Sequence, residues 1–405
     1  MGKFIQIHTL TGFSSVLLNR DDTGMAKRIE YGNNIRTRTS SQFAKRKLRT
    51  ATTANSLISI KDAGMSIRSR LVFHKKIAEP LIEAGYDKKS VIAVVMSIMG
   101  VMYNNNKDLL KKNNKKFKEI IDDMQSDELS VLDKNELVIF GEAEIERIKE
   151  IAKNTLDKLD NSILEDDKSD EIILKNMIEY FKDKEISAEL RAIPNTSIDM
   201  AAFGRMVTGD CLSNMDAAVH VAHAFSVHSQ QTEVDFFTAV DDLKNSKDGD
   251  DSGSAHVGET EINSPLLYAY YVIDFDALVG NLTGLDNARE VAAEVVNRII
   301  RLASENIVGA KKGSTAPYSS ADLIFLEVGE DMPRSLAKAY RKPAAPTLPA
   351  AVSALTEYIA GKEKIYSKPD GDRFLMSTVD AEIDGAEKMN LSDSIKCLKN
   401  ILMDE

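Results

Sequence analysis

The chain has 405 residues, 43% of them hydrophobic and 28% charged, and its 63 acidic side chains outnumber 52 basic ones for a formal net charge of -11. That length can bury a large core and hold more than one compact unit. The anionic balance excludes a protein that coats nucleic acid indiscriminately, so a nucleic-acid site has to be confined to a patch. Cys211 and Cys397 are too few for a disulfide framework and are not spaced as a metal knuckle, so both read as inert thiols of a reducing compartment.

Residues 4–10 (FIQIHTL) read as a first strand, with Ile5 and Ile7 on one side and Gln6 and His8 on the other. Beginning on a strand suits the centre of a sheet, and the lone His8 reads as structural. No basic start followed by an apolar run marks a signal peptide. The most apolar stretch, 91–102 (VIAVVMSIMGVM), falls short of the ~20 residues that span a bilayer. It reads as a buried helix of a cytoplasmic protein with no membrane partner.

The charge balance inverts between residues 19 and 50. Arg20, Lys27, Arg28, Arg36, Arg38, Lys45, Arg46, Lys47 and Arg49 face only Asp21, Asp22 and Glu30. Arg36 and Arg38 alternate as on one face of a strand. They lead into Ser40 and Ser41, placed as helix caps before QFAKRKLRTA. On that helix Gln42, Lys45 and Arg49 share one face, while Ala44, Leu48 and Ala51 form a separate apolar stripe for a core. A capped N-terminus beside a cationic strand suits phosphate, because unsatisfied amides and the macrodipole both favour an anion there. Asp21 and Asp22 are the one carboxylate pair in this stretch suited to acid–base or metal chemistry. No further acid or histidine joins them at a recognisable spacing.

From 56 to about 184 the composition turns helical and highly charged. Ile145, Ile148, Ile151, Leu156 and Leu159 fall at helical spacing, and heptads are not sustained. Residues 191–208 return to strand character, with Gly204 marking a close backbone approach. Residues 216–226 read as a helix of small residues. Its His220 and His223, with His228 beyond, lack the companions of a metal site and read as packing or hydrogen-bonding groups. Residues 233–261 read as a protruding hairpin with adjacent aromatics, Phe236 and Phe237, of which alternation exposes one. Asp248, Asp250, Ser252, Gly253 and Glu259 match calcium-loop positions, but Ala255 and the non-helical flanks favour a plain acidic loop. No metal or cofactor is expected. Further strands are expected at 266–275, 322–330 and 374–379, and helices at 287–307, after Pro333, at 351–362 and at the end. Lys311 and Lys312, before Gly313, form a short basic loop compatible with phosphate.

The segments FIQIHTL, LNRDDTG and SSQFAKRKLR, with DMAAFGRM (199–206), residues 217–243, GSAHVGETEI (253–262) and DMPRSLAKAY (331–340), carry a resemblance. Together and in this order, they resemble the crRNA-binding backbone subunits of type I-E CRISPR Cascade, the CasC family of the RAMP superfamily. The charged middle and the C-terminal tail do not share it. The resemblance implies a scaffold without catalysis, polymerised head to tail along crRNA, which presents bases to target DNA beside the other Cascade subunits. It also implies that Met206 wedges between guide bases and that Phe236, Phe237 and Thr238 sit on a thumb folding over the RNA of the next subunit. A lysine at 311–312 would meet the guide backbone. Related type III subunits cleave RNA with an acidic loop residue, which keeps a metal-dependent RNase at Asp21 or Asp22 as the alternative.

The strand–helix–strand order, interrupted by a helical block and a hairpin, fits an α+β fold: a ferredoxin-like (RRM-like) palm with a large helical insertion (fingers) and a protruding β-hairpin (thumb). The palm is expected at 1–55, 191–228 and 262–405, the fingers at 56–190 and the thumb at 229–261. The RNA-binding set is Asn19, Arg20, Lys27, Arg36, Arg38, Ser40, Gln42, Lys45, Arg46, Arg49, Met206, Phe236, Phe237, Thr238, Lys311 and Lys312.

Overall fold

The computed structural model describes residues 2–103, 128–158, 193–206, 214–239, 256–305 and 309–404. Residues 104–127 and 159–192 of the helical block, Cys211 and the candidate calcium positions 248–253 lie outside the described residues. The chain is mixed α/β and divides into two compact units: Met1–Ile60 with Val219–Asp276 and Arg289–Glu405, and Lys61–Ala218 with Ala277–Ala288.

In chain order the strands are β1 (Phe4–Gly12), β2 (Arg28–Glu30), β3 (Ile35–Thr39), β4 (Ile67–Ser69), β5 (Val138–Phe140), β6 (Val219–Val221), β7 (Ala224–Ser226), β8 (Thr232–Ala239), β9 (His256–Asn263), β10 (Leu266–Asp274), β11 (Leu323–Gly329), β12 (Asp372–Ser377) and β13 (Glu387–Lys388). The helices are α1 (Ser41–Thr50), α2 (Glu79–Glu83), α3 (Lys88–Met102), α4 (Glu142–Lys158), α5 (Ile198–Phe203), α6 (Phe275–Gly280), α7 (Ala288–Glu305), α8 (Lys312–Thr315), α9 (Leu348–Tyr366) and α10 (Leu391–Met403).

The first unit is built on a nine-stranded mixed sheet of order β13-β12-β11-β1-β10-β7-β3-β2, with β6 also on β10. The β1 strand takes the centre, antiparallel to β10 from Phe4↔Asp274 to Gly12↔Leu266 and to β11 from Phe4↔Gly329 to Leu10↔Leu323. Its residues from Ile5 to Thr11 are all buried, because both faces of the sheet are covered. On one face Leu10, Tyr268, Tyr270 and Phe325 form a core with Leu336 and Tyr340 and with Val352, Leu355 and Ile359 of α9. The polar side of β1 stays inside because it is partnered. His8 Nδ1 lies 2.9 Å from the Tyr268 hydroxyl, its ring stacks on Tyr270 at 4.7 Å, and its Nε2 lies 3.4 Å from the Glu327 carboxylate. Burial holds the His8 imidazole below its usual value, hence neutral.

The second unit packs α3 and α4 over the β4–β5 pair and a π-helical turn at Phe73–Ala78. The α3 helix is buried from Val91 to Val95, as its unbroken apolar run demands, and Asp87 caps it by accepting from Ser90 N at 2.9 Å.

Three expectations fail. Residues 216–226 form β6 and β7, not a helix, since both strands extend the sheet alongside β10. Residues 198–203 form α5 rather than a strand and belong to the second unit. After Pro333 the only helical turn before α9 is a 3₁₀ turn at Ala337–Tyr340, because this segment is laid across the core as an irregular strap. None of the described helices is long and apolar enough to cross a membrane.

Candidate nucleic-acid interface

The basic stretch folds as a hairpin that runs into a capped helix. Tyr31-Gly32-Asn33-Asn34 makes the turn, with Gly32 and Asn33 at φ 62° and 58° and a Tyr31 N–H to Asn34 O bond of 2.9 Å. Positive φ at both central positions matches the twist of the flanking strands. A β-carbon on Gly32 would lie 1.7 Å from the Arg341 carbonyl oxygen, so the turn tip is pressed onto the strap.

At the start of α1, Ser40 Oγ accepts from Phe43 N at 3.2 Å, and Asn19 Oδ1 accepts from Ser40 N at 3.0 Å. Asn19 thus fixes the helix entry instead of standing free. No acid occupies the first turn of α1, and Lys47 and Arg49 occupy its last. Apart from the Phe43 amide that Ser40 caps, the first-turn amides have no acceptor within the helix, and the positive end of the helix suits an anion. Gln42 and Arg46 are exposed, Lys45, Lys47 and Arg49 half-buried, and Leu48 packs inward with Ala51. Tyr271 of β10, Leu302 of α7 and Ala224 of β7 line one crevice with Phe43, Ala44 and Leu48. Partial burial, with the positive charges of Lys312 and Arg46, holds the Lys47 ammonium below its usual value. The α8 turn therefore delivers Lys312 into the field of α1.

Beside the helix lies an open depression of about 590 Å³ lined by Asp21, Asp22, Thr23, Met25, Lys27, Arg28 and Arg38. The exposed Arg20 stands at its rim, where a bridge to Ala26 closes the loop. Arg38 donates through Nε to the Arg28 carbonyl at 3.2 Å and through Nη1 to His223 Nδ1 at 2.8 Å. Burial, then the charges of Arg38 and Lys27, pushes the His223 pKa down, and a neutral ring accepting at Nδ1 carries its proton on Nε2. His223 is exposed, and its contact with Arg38 is of the hydrogen-bonding kind expected of it. Asp21 is absorbed locally: its Oδ1 accepts from Thr23 Oγ1 at 2.7 Å and from the amides of Thr23 and Met25 at 3.0 Å. Those hydrogen bonds hold its carboxyl below the usual range.

Arg36 leaves the set. Although it alternates with Arg38, it is fully buried, donating from Nη1 to Ser226 O at 3.0 Å and from Nη2 to Tyr340 O at 2.9 Å. It pins the strap to the sheet and has no surface for phosphate. Arg28, which the RNA-binding set omits, donates to Glu261 Oε1 at 2.8 Å, at the root of the hairpin formed by β8 and β9.

The hairpin expected at 229–261 is the β8–β9 ribbon, paired from Thr232↔Asn263 to Ala239↔His256. Phe236 and Phe237 are both exposed, at 60% and 41%, rather than one of the two, and Thr238 is exposed beside them. Alternation does turn them to opposite faces, but neither face of a two-stranded ribbon has a core behind it. In the second unit, Met206 is 89% exposed. It follows Gly204 (φ 76°) and Arg205, which is buried against Glu144 at 2.7 Å.

A model of the CT1975-like protein family (Cas_CT1975) matches residues 5–402, nearly the whole chain. The chain belongs to this family. No curated protein matches it. Among solved structures, this CT1975-like chain is similar to a chain described as "CRISPR RNA-guided surveillance complex, pre-nicking", with a TM-score of 0.73 and 22% identity over 98% of this chain and 100% of that one. A second, described as "CRISPR RNA-guided surveillance complex", has a TM-score of 0.52 and 19% identity over 97% and 99% of the two chains. At these identities the likeness is one of fold, and it extends over both units of the CT1975-like chain.

Proposed function

We propose that this chain is a non-catalytic, RNA-binding backbone subunit of a CRISPR surveillance complex of the Cascade type. It grips crRNA and presents the bases for pairing with target DNA. The observation that carries the proposal is the run of positive charge along β3 and α1, in a chain of net charge -11: a helix without acids in its first turn, Lys27 and Arg38 beside His223, and Arg46 and Lys312 beside Lys47 in the last turn. Such a junction recognises the sugar–phosphate chain and leaves sequence reading to the paired bases. The likeness of fold to two chains described as CRISPR RNA-guided surveillance complexes supports the same assignment. On this reading the sheet unit is an expanded ferredoxin-like palm, and copies assemble head to tail, since heterologous contacts propagate into helical arrays. The ribbon lays Phe236, Phe237 and Thr238 over the strand held by the next copy, and Met206 inserts between bases, as apolar groups do with splayed RNA.

The test is to purify the co-expressed complex and size its nucleic acid; assembly free of RNA refutes the proposal. Lys45→Ala and Arg49→Ala should each lower the salt slope of guide binding by about 0.7, the share of one single-strand phosphate. The depression around Asp21 and Asp22 supports a second reading, a metal-dependent RNase. Cleavage of complementary RNA with magnesium or manganese, lost in Asp22→Asn, would establish it in place of the first.

A further inference from the structure

We propose that Arg28 and Lys311 form a two-sided clamp on the root of the β8–β9 ribbon that orients Phe237, so that neither is a phosphate ligand. The inference rests on the reading of the ribbon as the element laid over RNA. Its geometry, however, is formed within a single chain.

The register sorts the ribbon into two faces. Val234↔Glu261 and Phe236↔Glu259 lie on one, and Asp235↔Thr260 and Phe237↔Gly258 lie on the other. On the first face Glu261, 4% exposed, accepts from Ala26 N at 3.1 Å, Gln230 Nε2 at 3.2 Å and Arg28 Nη2 at 2.8 Å. On the second face Lys311 Nζ donates to Thr260 Oγ1, and the same ammonium stands 5.3 Å from the centroid of the Phe237 ring. That separation lies within the range of a cation–π contact.

The ring is also held by its cross-strand neighbour. A β-carbon on Gly258 would fall 2.4 Å from Phe237 Cζ, so the ring lies flat across a residue that has no side chain to lift it. Phe237 is thus packed on Gly258 and within reach of the Lys311 ammonium, and it stays 41% exposed. Phe236, 60% exposed on the other face, has no such backing among the described residues.

The Lys311 side chain reaches the ribbon because its backbone is locked. Ala310 N donates to Leu17 O at 3.0 Å and to Leu18 O at 3.1 Å. Gly309 comes so close that a β-carbon there would lie 2.7 Å from Leu18 Cα. Lys311 itself is left-handed (φ 51°, ψ 43°), and its carbonyl accepts from the amides of Ser314 and Thr315 and from Thr315 Oγ1. A non-glycine residue keeps that conformation only where its surroundings impose it. The next residue, Lys312, is exposed and acts on Lys47 instead. Adjacent lysines that look alike in sequence therefore serve different partners.

The native chain contains no tryptophan, so Phe237→Trp is a single-site reporter. Its fluorescence anisotropy is measured on the full RNA-free chain, and the salt slope of guide binding on the assembled complex. Lys311→Met in the reporter background should lower the anisotropy and leave the slope unchanged. Lys311→Arg should restore the anisotropy, which separates a lost clamp from a lost fold. Lys312→Met should behave the other way, with the anisotropy unchanged and the slope lower by about 0.7. An Arg28→Met variant should lower the anisotropy like Lys311→Met. The proposal is overturned if Lys311→Met leaves the reporter unaltered, or if it takes a phosphate's worth from the slope. A complex that holds no guide sinks the RNA reading, while the anisotropy arm still decides the clamp.

Discussion

Replacing Arg36 by methionine separates a buried strut from a phosphate ligand. Methionine keeps the unbranched stem and removes the guanidinium, whose two hydrogen bonds at 3.0 and 2.9 Å join β3 to Ser226 and to Tyr340. Charge-assisted bonds of this kind contribute about 1.5–3 kcal/mol each, so their loss costs about 3–6 kcal/mol. Part of that is offset, because Arg36 Nε is buried with no acceptor among the described residues, a native-state penalty of about 1–2 kcal/mol that disappears with the guanidinium. The net expectation is a destabilisation of about 2–4 kcal/mol, read as a lower urea midpoint at unchanged m-value. A second signal should accompany it. Burial and the Arg36 charge together hold the His228 pKa below 6.5, so His228 should titrate higher in the variant. The salt slope of guide binding should not move. A variant as stable as the parent, with a slope reduced by about 0.7, would show that Arg36 reaches phosphate and refute the reasoning.

Gly32→Ala sets a β-carbon 1.7 Å from the Arg341 carbonyl at positive φ, and should cost about 3 kcal/mol by denaturation. Gly24→Ala, also at positive φ but in open space, should cost only the ~1–2 kcal/mol of left-handed strain. In the second unit, Met206→Ala should stay within about 0.5 kcal/mol of the parent, being 89% exposed. Gly204→Ala, aimed 2.7 Å from the Met215 carbonyl, should destabilise clearly in the same assay. Because burial depresses the His8 pKa, the unfolded chain takes up a proton first as pH falls below 6.5, so stability should decline from pH 7.5 to 5.5. His8→Gln should flatten that decline in urea midpoints measured across the range.

The parts legible in the sequence were those whose pattern is local. The first strand, the capped helix with its inward Leu48, the apolar run of α3 and the stripe of Val291, Val295, Ile299 and Leu302 on α7 each depend on neighbours within two turns. The residues 216–226 misled because Ala217, Ala218, Ala222 and Ala224 resemble a small-residue helix. Their size instead admits aromatic partners: Phe225 stands opposite Tyr268, and β6 runs along Tyr271–Ile273. The alternation Val219-His220-Val221 was the available signal. Gly32-Asn33 was another, a two-residue turn between short strands that announces a hairpin. The separate fates of Arg36 and Arg38 could not be read locally, since the carbonyls that capture Arg36 come from positions 190 and 304 residues away.

That sorting limits how strongly one chain can hold RNA. Of the nine cations between residues 20 and 49, Arg36 is committed to the core and Arg28 to Glu261. The other seven are all counted, Arg38 with its bonds to the Arg28 carbonyl and His223 included, and α8 adds Lys312, while Lys311 turns to Thr260 and Phe237. With single-strand contacts contributing about 0.7 each, eight cations set a ceiling of roughly 5.6 on the salt slope per chain, below the roughly 7.7 expected if all eleven cations gripped phosphate. The slope of guide binding divided by the number of copies per complex tests this directly. A value well above the ceiling would mean that Arg28 or Lys311 leaves the ribbon for the RNA. In that event Phe237 would lose its backing as the guide binds, and the Phe237→Trp reporter should become more mobile at that step. A slope under the ceiling with the reporter fixed is the outcome expected where grip and wedge are carried by separate cations.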